Sequence, residues 1–170
     1  MKELFSRIEQ LGRGIVAIEG GSAAGKTTLA SRLAQKYGCT VVHMDDFFLP
    51  LSRRTGDGNI DRARFLEQVL LPLSRGEAFD YIRFDCKQQT YCAPIRISPT
   101  PLVLVEGAYS MHPDFAGYYD FSVFLSVSKE VQTARVQQRP NAKDFFAKWI
   151  PMEEAYFQTF DIQNGCDFRI

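Results

Sequence analysis

The stretch Gly20-Gly21-Ser22-Ala23-Ala24-Gly25-Lys26-Thr27-Thr28 decides the fold class of this chain. It matches G-x-x-x-x-G-K-[ST], a loop whose backbone N–H groups surround phosphate groups. An apolar run at residues 14–19 precedes the loop, and leucines four apart follow it until Gly38. This order of buried strand, glycine-rich loop and helix is the context that the motif requires. Glycines alone would fit an ordinary turn, whereas Lys26 and Thr27 favour phosphate binding.

The composition is that of a globular protein. The chain has 170 residues, of which 45% are hydrophobic and 24% charged, and this length predicts a single domain over residues 1–170. Twenty basic residues balance twenty acidic ones, which argues against nucleic acid as a partner. The sequence has no apolar run near the roughly 18 residues that span a bilayer, so no membrane partner is expected. The four cysteines are scattered, as in a cytoplasmic protein.

Apolar runs and helical patterns alternate along the whole chain. Helices are predicted over 2–11, 27–37 and 128–139, and from about residues 61 and 151. Strands are predicted over 14–19, 39–44, 101–106, 120–127 and 166–170. Such alternation is typical of an α/β protein with a parallel sheet, helices on both faces and ligands at the carboxyl ends of the strands.

Three segments interrupt this alternation. Residues 51–59 have the composition of a loop, with glycines and an Arg53-Arg54 pair. Residues 79–100 are rich in aromatic residues and alternate over short pieces, which predicts a small hairpin-like insert on the acceptor side. Residues 139–150 are polar and basic, and we expect them to form a short lid.

Taken in order, these features resemble the uridine kinase, phosphoribulokinase and nicotinamide riboside kinase group of P-loop kinases. The markers are the loop at 20–28, Asp45-Asp46-Phe47-Phe48 after a strand, Asn59-Ile60-Asp61 before a helix, Phe84-Asp85, Val105-Glu106-Gly107, the helix with Arg135 and Arg139, and the last strand. The resemblance implies a three-layer P-loop NTPase sandwich with a five-stranded parallel sheet. It also implies ATP and Mg²⁺ as cofactors.

The nucleotide side of the expected site is built on the loop. Lys26 would bring its charge to the β- and γ-phosphates as a catalytic group, and Thr27 would offer its hydroxyl to Mg²⁺. Two arginines four apart on one helix destabilise it slightly, so an anionic partner such as ATP is expected there. The predicted nucleotide-binding residues are Gly21, Ser22, Ala23, Ala24, Gly25, Lys26, Thr27, Thr28, Arg135 and Arg139.

The acceptor side is predicted from the resemblance. Asp45 matches the base that takes the proton of the acceptor hydroxyl, and Asp46 suits capping or support. Glu106 matches an acidic group near the metal. Asp61 matches a residue that binds ribose hydroxyls, although it is equally well placed as a helix N-cap. Phe84 matches a site where uridine kinases often have a tyrosine beside the base.

The leading hypothesis is an ATP-dependent kinase that phosphorylates a hydroxyl of a nucleoside such as uridine or of a similar small metabolite. The alternative is a regulatory P-loop ATPase or GTPase without small-molecule kinase activity. Asn141-Ala142-Lys143-Asp144 has the letters of the guanine motif N-K-x-D in the wrong order, and we interpret it as coincidence. A third hypothesis is a non-catalytic relative that only binds nucleotide. The acceptor, the choice between ATP and GTP, and the oligomeric state stay open at this point.

Overall fold

The computed structural model describes residues 1–54 and 59–170. The predicted loop at 51–59 therefore lies partly outside the described residues. The strands are β1 (Gly14–Gly20), β2 (Thr40–His43), β3 (Phe79–Asp85), β4 (Thr90–Ile97), β5 (Leu102–Glu106), β6 (Phe121–Leu125) and β7 (Phe168–Arg169). The α-helices are α1 (Lys2–Leu11), α2 (Lys26–Tyr37), α3 (Arg62–Phe65), α4 (Leu71–Ser74), α5 (Pro113–Ala116), α6 (Lys129–Gln137), α7 (Ala142–Asp144), α8 (Ile150–Thr159) and α9 (Ile162–Gly165).

The main sheet has five parallel strands in the order β2-β5-β1-β6-β7. The predicted α/β fold with a five-stranded parallel sheet is thereby confirmed. Strands β3 and β4 form a separate antiparallel pair, which confirms the hairpin-like insert. The order of the strands places β1, which leads into the phosphate loop, at the centre of the sheet.

Both faces of the sheet are covered, because successive side chains of each strand point to opposite sides. Val16 and Ile18 of β1 belong to one core cluster, together with buried residues of α1 and α2. Ile15 and Ala17 belong to the other, which holds aromatic residues from the segments after β2, β5 and the lid. The same alternation places Glu19 on the second face, where it is fully buried.

Two helical segments contain a turn of π-helix, and each lies directly before a proline. The π-turns span Leu66–Leu70 and Phe145–Trp149 and are followed by Pro72 and Pro151. A proline inside a helix cannot donate to the carbonyl four residues back, and its ring clashes with that carbonyl. Widening the preceding turn to i→i−5 bonds relieves the clash. Residues 142–159 consequently form one continuous helix, so the predicted helix start at about residue 151 is wrong.

The strand register brings the predicted site residues to one edge. Glu106, at the end of β5, lies opposite Ile18 of β1 and opposite His43 of β2. The loop after β1 and the turn after β2 therefore start beside the same carboxylate. Gly20 makes this turn possible: its φ is 143°, and a Cβ there would lie 2.1 Å from the Leu125 carbonyl oxygen.

Within residues 1–54 and 59–170, the structure contains no helix with both the length and the apolar character needed to cross a membrane.

Substitution of Gly20 is expected to destabilise the fold strongly. Gly20→Ala would force a β-carbon against the backbone of β6 at a φ that L-residues avoid. We expect a loss of about 3 kcal/mol or more in the free energy of unfolding, measured by urea denaturation. Gly117→Ala is the matched control, because open space surrounds Gly117 and its φ is −71°. Equal stability of the two variants would contradict this account of the turn.

Candidate active site

The phosphate loop borders a large cavity at the carboxyl ends of the strands. The cavity has a volume of about 1040 Å³. Residues 22–28 of the loop form its floor, and Asp45 and Glu106 line it as well. Because α2 starts at Lys26 after Gly25 in a left-handed conformation, the positive end of its dipole faces the loop. Such a helix N-terminus is a ready site for an anion.

Lys26 lies within the loop that it serves. Its ammonium group donates to the carbonyl oxygens of Gly20 at 2.8 Å and Gly21 at 3.0 Å. An ammonium group has three donors, so these two bonds leave one N–H for a further acceptor. The positive charge is thus fixed at the point where the loop turns into the cavity.

Thr27 and Glu106 are in contact, as a shared metal site would require. The Thr27 hydroxyl donates to the two carboxylate oxygens of Glu106, at 3.1 and 3.3 Å. Mg²⁺ prefers oxygen ligands and is usually held by one or two carboxylates, waters and substrate phosphates. The donor set fits that pattern. Across the described ranges, no group of three or more His, Cys, Asp or Glu side chains is arranged so that it could hold a metal ion.

His43 is the third member of this group. Its Nδ1 lies 2.5 Å from Glu106 Oε1, and this hydrogen bond raises the pKa of His43 above 6.5. The sequence analysis assigned no role in the site to His43. The available signal was its position: it ends the strand that neighbours the one ended by Glu106.

Asp45 is the acidic group that faces the open part of the cavity. It lies in a short 3₁₀ turn, Met44–Phe47, directly after β2. Its side chain is solvent-accessible, but the cavity walls limit its hydration. This desolvation, and next the negative charge of Glu106, raise the pKa of the carboxyl above its usual 3.8. Asp45 therefore becomes a stronger proton acceptor.

The neighbouring Asp46 is directed elsewhere. Its carboxylate accepts a hydrogen bond from the Tyr81 hydroxyl at 2.8 Å, and its backbone carbonyl accepts from Arg64. Both partners join the turn to the hairpin insert and to α3. The structure thus separates the two acids: Asp45 lines the cavity, and Asp46 holds the insert.

The two arginines of the helix before the lid line the cavity beside the loop. Arg135 of α6 donates to the Ala23 carbonyl oxygen at 2.9 Å. The guanidinium of Arg139, two residues after α6, lies 4.7 Å from the centre of the Phe145 ring. Their charges converge on the side of the loop where an anion would extend from the α2 N-terminus.

Two predicted acceptor-side residues have other contacts. Asp61 accepts a hydrogen bond from the Arg64 backbone N–H at 3.2 Å, so it caps α3. Phe84 is buried, with its ring centre 5.2 Å from that of Tyr91. Neither is among the described residues that line the cavity.

Other residues form the cavity wall beside the hairpin insert. The Arg54 guanidinium lies between the rings of Phe48 and Trp149, at 5.1 and 5.2 Å from their centres. It also approaches the sulfur of Cys86 at 3.4 Å. Cys86, Lys87 and Gln89 come from the hairpin turn and line the cavity. Sequence reasoning assigned none of these roles; only the general placement of the insert indicated them.

Two buried glutamates accept hydrogen bonds from the loop, and the sequence analysis predicted neither contact. Glu19 accepts hydrogen bonds from the backbone N–H groups of Gly20 and Met111 and from the Tyr156 hydroxyl. Glu153 accepts from the backbone N–H of Ser22 at 2.7 Å and from its hydroxyl at 2.6 Å. In sequence, Glu153 looked like an ordinary acid in the first turn of a helix.

Curated relatives with kinase names match the chain. Uridine kinase-like protein 4 of Arabidopsis thaliana is 24% identical over 159 residues, covering 85% of this chain and 34% of that protein. A uridine kinase of Chloroflexus aggregans is 34% identical over 109 residues, covering 55% of this chain and 51% of that protein. The chain thus spans from about a third to a half of these relatives. No family model matches it.

A solved structure described as a possible uridine kinase from Bacillus stearothermophilus shares the fold, with a TM-score of 0.73, 23% identity and 99% of both chains covered. The α/β architecture and the phosphate loop of this chain are those of the P-loop fold that this structure shares. The chain is also similar in sequence to curated proteins named uridine kinase or uridine kinase-like, so the resemblance predicted from the ordered motifs is confirmed.

Glu19 should make stability depend on pH. Burial raises its pKa from 4.5 to about 7. The folded protein therefore retains a proton that the unfolded chain loses above about pH 4.5. The stability from this group is complete below that pH and is lost as the pH rises through 7; the shift corresponds to about 3 kcal/mol.

We expect the urea midpoint of the wild type to fall between pH 5 and pH 7, and to fall less in Glu19→Gln. His43, whose pKa is also raised, contributes with the same sign, so some slope should remain. Glu154→Gln, a change at an exposed side chain of α8, is the control and should leave the slope unchanged. An unaltered slope in Glu19→Gln would show that Glu19 does not titrate in this range.

Proposed function

We propose that the protein is an ATP-dependent kinase that transfers the γ-phosphoryl group to a hydroxyl of a nucleoside such as uridine or of a similar small metabolite. The observation that carries this proposal is the shared cavity. Asp45, a solvent-accessible acid with a raised pKa, lines the same space as the phosphate loop and the Thr27–Glu106 pair. A regulatory ATPase or GTPase needs the phosphate loop, but it does not need a general base for the hydroxyl of an acceptor.

The nucleotide would bind along the loop. Backbone N–H groups of residues 21–28 and the N-terminus of α2 would hold the phosphates. Lys26 would donate its remaining N–H to the phosphates, or its whole ammonium group would turn from the loop carbonyls to the phosphates. Arg135 and Arg139 would stabilise the negative charge that spreads over the transferred group.

Asp45 would act as the general base. As the acceptor oxygen forms its bond to the γ-phosphorus, the hydroxyl proton passes to the Asp45 carboxylate and the bond to the ADP oxygen breaks. A carboxylate whose pKa is raised, as burial and the charge of Glu106 raise that of Asp45, accepts a proton more readily. Phosphoryl transfer otherwise asks the protein mainly for position and charge.

Thr27 and Glu106 would hold the metal, either directly or through its water shell. A bound Mg²⁺ would neutralise the phosphates and fix their geometry. His43, hydrogen-bonded to Glu106, would orient that carboxylate from the other side. Partners that orient a metal ligand in this way commonly affect metal affinity.

The acceptor would lie between Asp45 and the wall made by Arg54 and the hairpin turn. This wall mixes aromatic rings, a cation and polar side chains, which suits a small polar molecule with a flat or apolar part. Asp61 and Phe84 were predicted to touch the acceptor. We propose that they act at one remove, through α3 and the hairpin.

The first test is an ADP-release screen over nucleosides, nicotinamide riboside, pantothenate and sugar acids. With the acceptor that is found, Asp45→Asn should lower kcat by about 10² or more, because it removes the base, while nucleotide affinity stays near that of the wild type. Asp46→Asn is the matched control, since that side chain is bonded to Tyr81.

Retention of most activity by Asp45→Asn would show that the base is misassigned. Hydrolysis of ATP and GTP at equal rates, with no stimulation by any acceptor, would favour the regulatory nucleotidase instead. Nucleotide binding with no turnover under any condition would point to the non-catalytic relative.

The metal assignment is tested separately. Thr27→Ala and Glu106→Gln should each raise the Mg²⁺ concentration needed for tight nucleotide binding by about tenfold, because each removes an oxygen ligand or its support. Calorimetric titration at several Mg²⁺ concentrations measures this. Ser31→Ala, on the exposed side of α2, should have no effect. Unchanged Mg²⁺ dependence in both variants would remove Thr27 and Glu106 from the metal site.

A further inference from the structure

Glu153 makes a two-point contact with the phosphate loop that the reaction described above does not use. One carboxylate oxygen accepts from the backbone N–H of Ser22 at 2.7 Å, and the other accepts from the Ser22 hydroxyl at 2.6 Å. Both residues are 7% exposed. Hydrogen bonds to an ionised acceptor are short and strong, and burial shields these from competing water.

Ser22 is also held from a second helix. Its carbonyl oxygen accepts from the side-chain amide of Gln132 at 2.9 Å, and the next carbonyl, that of Ala23, accepts from Arg135 at 2.9 Å. The backbone N–H, carbonyl and hydroxyl of Ser22 are therefore all bonded to helices outside the loop. Ala23, which follows it, has a φ of 62°, a conformation that a non-glycine residue adopts only when its surroundings impose it.

The helix that carries Glu153 also forms part of the cavity wall. Residues 142–159 are continuous, and Phe145 and Trp149 line the cavity on the same helix. Trp149 is one turn before Glu153, since an α-helix has 3.6 residues per turn. The residues that line the cavity and the residue that bonds to the loop thus belong to one continuous helix.

Burial of a carboxylate without an adjacent cation is costly. The bonds from Ser22 offset this cost in part, and the charge of Lys26 lies close enough to favour the ionised form. An uncharged residue would pack here at a lower cost. The presence of an acid indicates that the two bonds to the loop serve a purpose beyond packing.

We propose that Glu153 is a positioning residue of the phosphate loop: its two bonds to Ser22 fix the loop in its nucleotide-binding shape and couple that shape to the helix that lines the cavity. The proposal rests on the nucleotide site of the proposed function, but not on the identity of the acceptor or on turnover. Its consequence is that Glu153, which also lines the cavity, acts on nucleotide affinity through the shape of the loop.

Two variants of Glu153 separate its hydrogen bonds from its charge. Glu153→Ala removes both bonds. Glu153→Gln can accept from the Ser22 N–H and donate to the Ser22 oxygen, because a hydroxyl also accepts, so it keeps the grip without the charge. Glu154→Ala is the matched control: it is the next residue on α8, with a half-exposed side chain.

Nucleotide affinity is the primary measurement, by titration of the full chain with ADP and ATP. We expect Glu153→Ala to raise both dissociation constants about tenfold or more, as the loss of two charge-assisted bonds implies. Glu153→Gln should stay within about threefold of the wild type, and Glu154→Ala should match it. Ser22→Ala keeps the backbone bond and should raise the dissociation constants less than Glu153→Ala does. In the Ser22→Ala background, Glu153→Ala should raise them by a smaller factor than it does in the wild type.

The fluorescence of Trp149, the only tryptophan in the chain, reports on the coupling. Addition of ADP should change its emission in the wild type and in Glu153→Gln, and should change it less in Glu153→Ala at saturating ADP. Urea denaturation of each variant accompanies these titrations. A lower urea midpoint with unchanged affinity in Glu153→Ala would reduce Glu153 to a packing residue and overturn the proposal.

Failure of this inference is distinguishable from failure of the proposed function. If the wild type phosphorylates an acceptor and Glu153→Ala binds nucleotide as tightly as the wild type, only the positioning role is wrong. If the wild type binds nucleotide but phosphorylates no acceptor, the kinase proposal fails, and the affinities of the Glu153 variants still decide whether Glu153 positions the loop.

Discussion

The parallel hydrogen bonding between β1, β5 and β2 is the constraint on which the site depends. In a parallel sheet all strands end at the same edge, so the segments that follow them start side by side. Register makes this specific: Glu106 lies level with Ile18 and with His43. The phosphate loop, the Glu106 carboxylate and the turn that carries Asp45 consequently leave the sheet from three neighbouring strands. A slip of one residue in either pairing would turn Glu106 to the other face.

Around the loop, carboxylates outnumber cations, and hydrogen bonds from the protein offset part of the cost of burying them. Glu19 and Glu153 are surrounded by protein and accept hydrogen bonds from backbone N–H groups that would otherwise be unsatisfied. Desolvation raises the pKa of both. Lys26 lies among them and partly compensates their charge. A bound polyphosphate adds further negative charge to this region, which is the physical reason for a site with Lys26, two arginines and an expected metal on its open side.

Much of this could be predicted from sequence because the signals were local. Short apolar runs marked the strands, the loop motif marked the phosphate site, and the position of Asp45 after a strand marked the cavity edge. The sequence did not reveal the bond between Glu153 and Ser22, because that contact spans 131 positions and depends on how α8 packs. The π-turn before Pro151 adds to this difficulty: it inserts one residue, which rotates the rest of the helix by about 100°. The helical face of Glu153 therefore could not be derived from a regular 3.6-residue pattern.

The features that could be predicted from the sequence and those that could not belong to different parts of the molecule. The nucleotide side is built on the central strands and on α2, where burial on both faces leaves little freedom in sequence or shape. The proposed acceptor side is built on the hairpin, on the helix over 142–159 and on single residues such as Arg54, which pack at the periphery. A change in the hairpin turn alters one wall of the cavity without disturbing the sheet. A change at Gly20 or Glu106 instead alters the edge of the sheet on which the phosphate loop is built. In the proposed kinase, the choice of acceptor can thus vary while the nucleotide side stays constant, and a likeness to uridine kinases carries less information about the acceptor than about the proposed reaction.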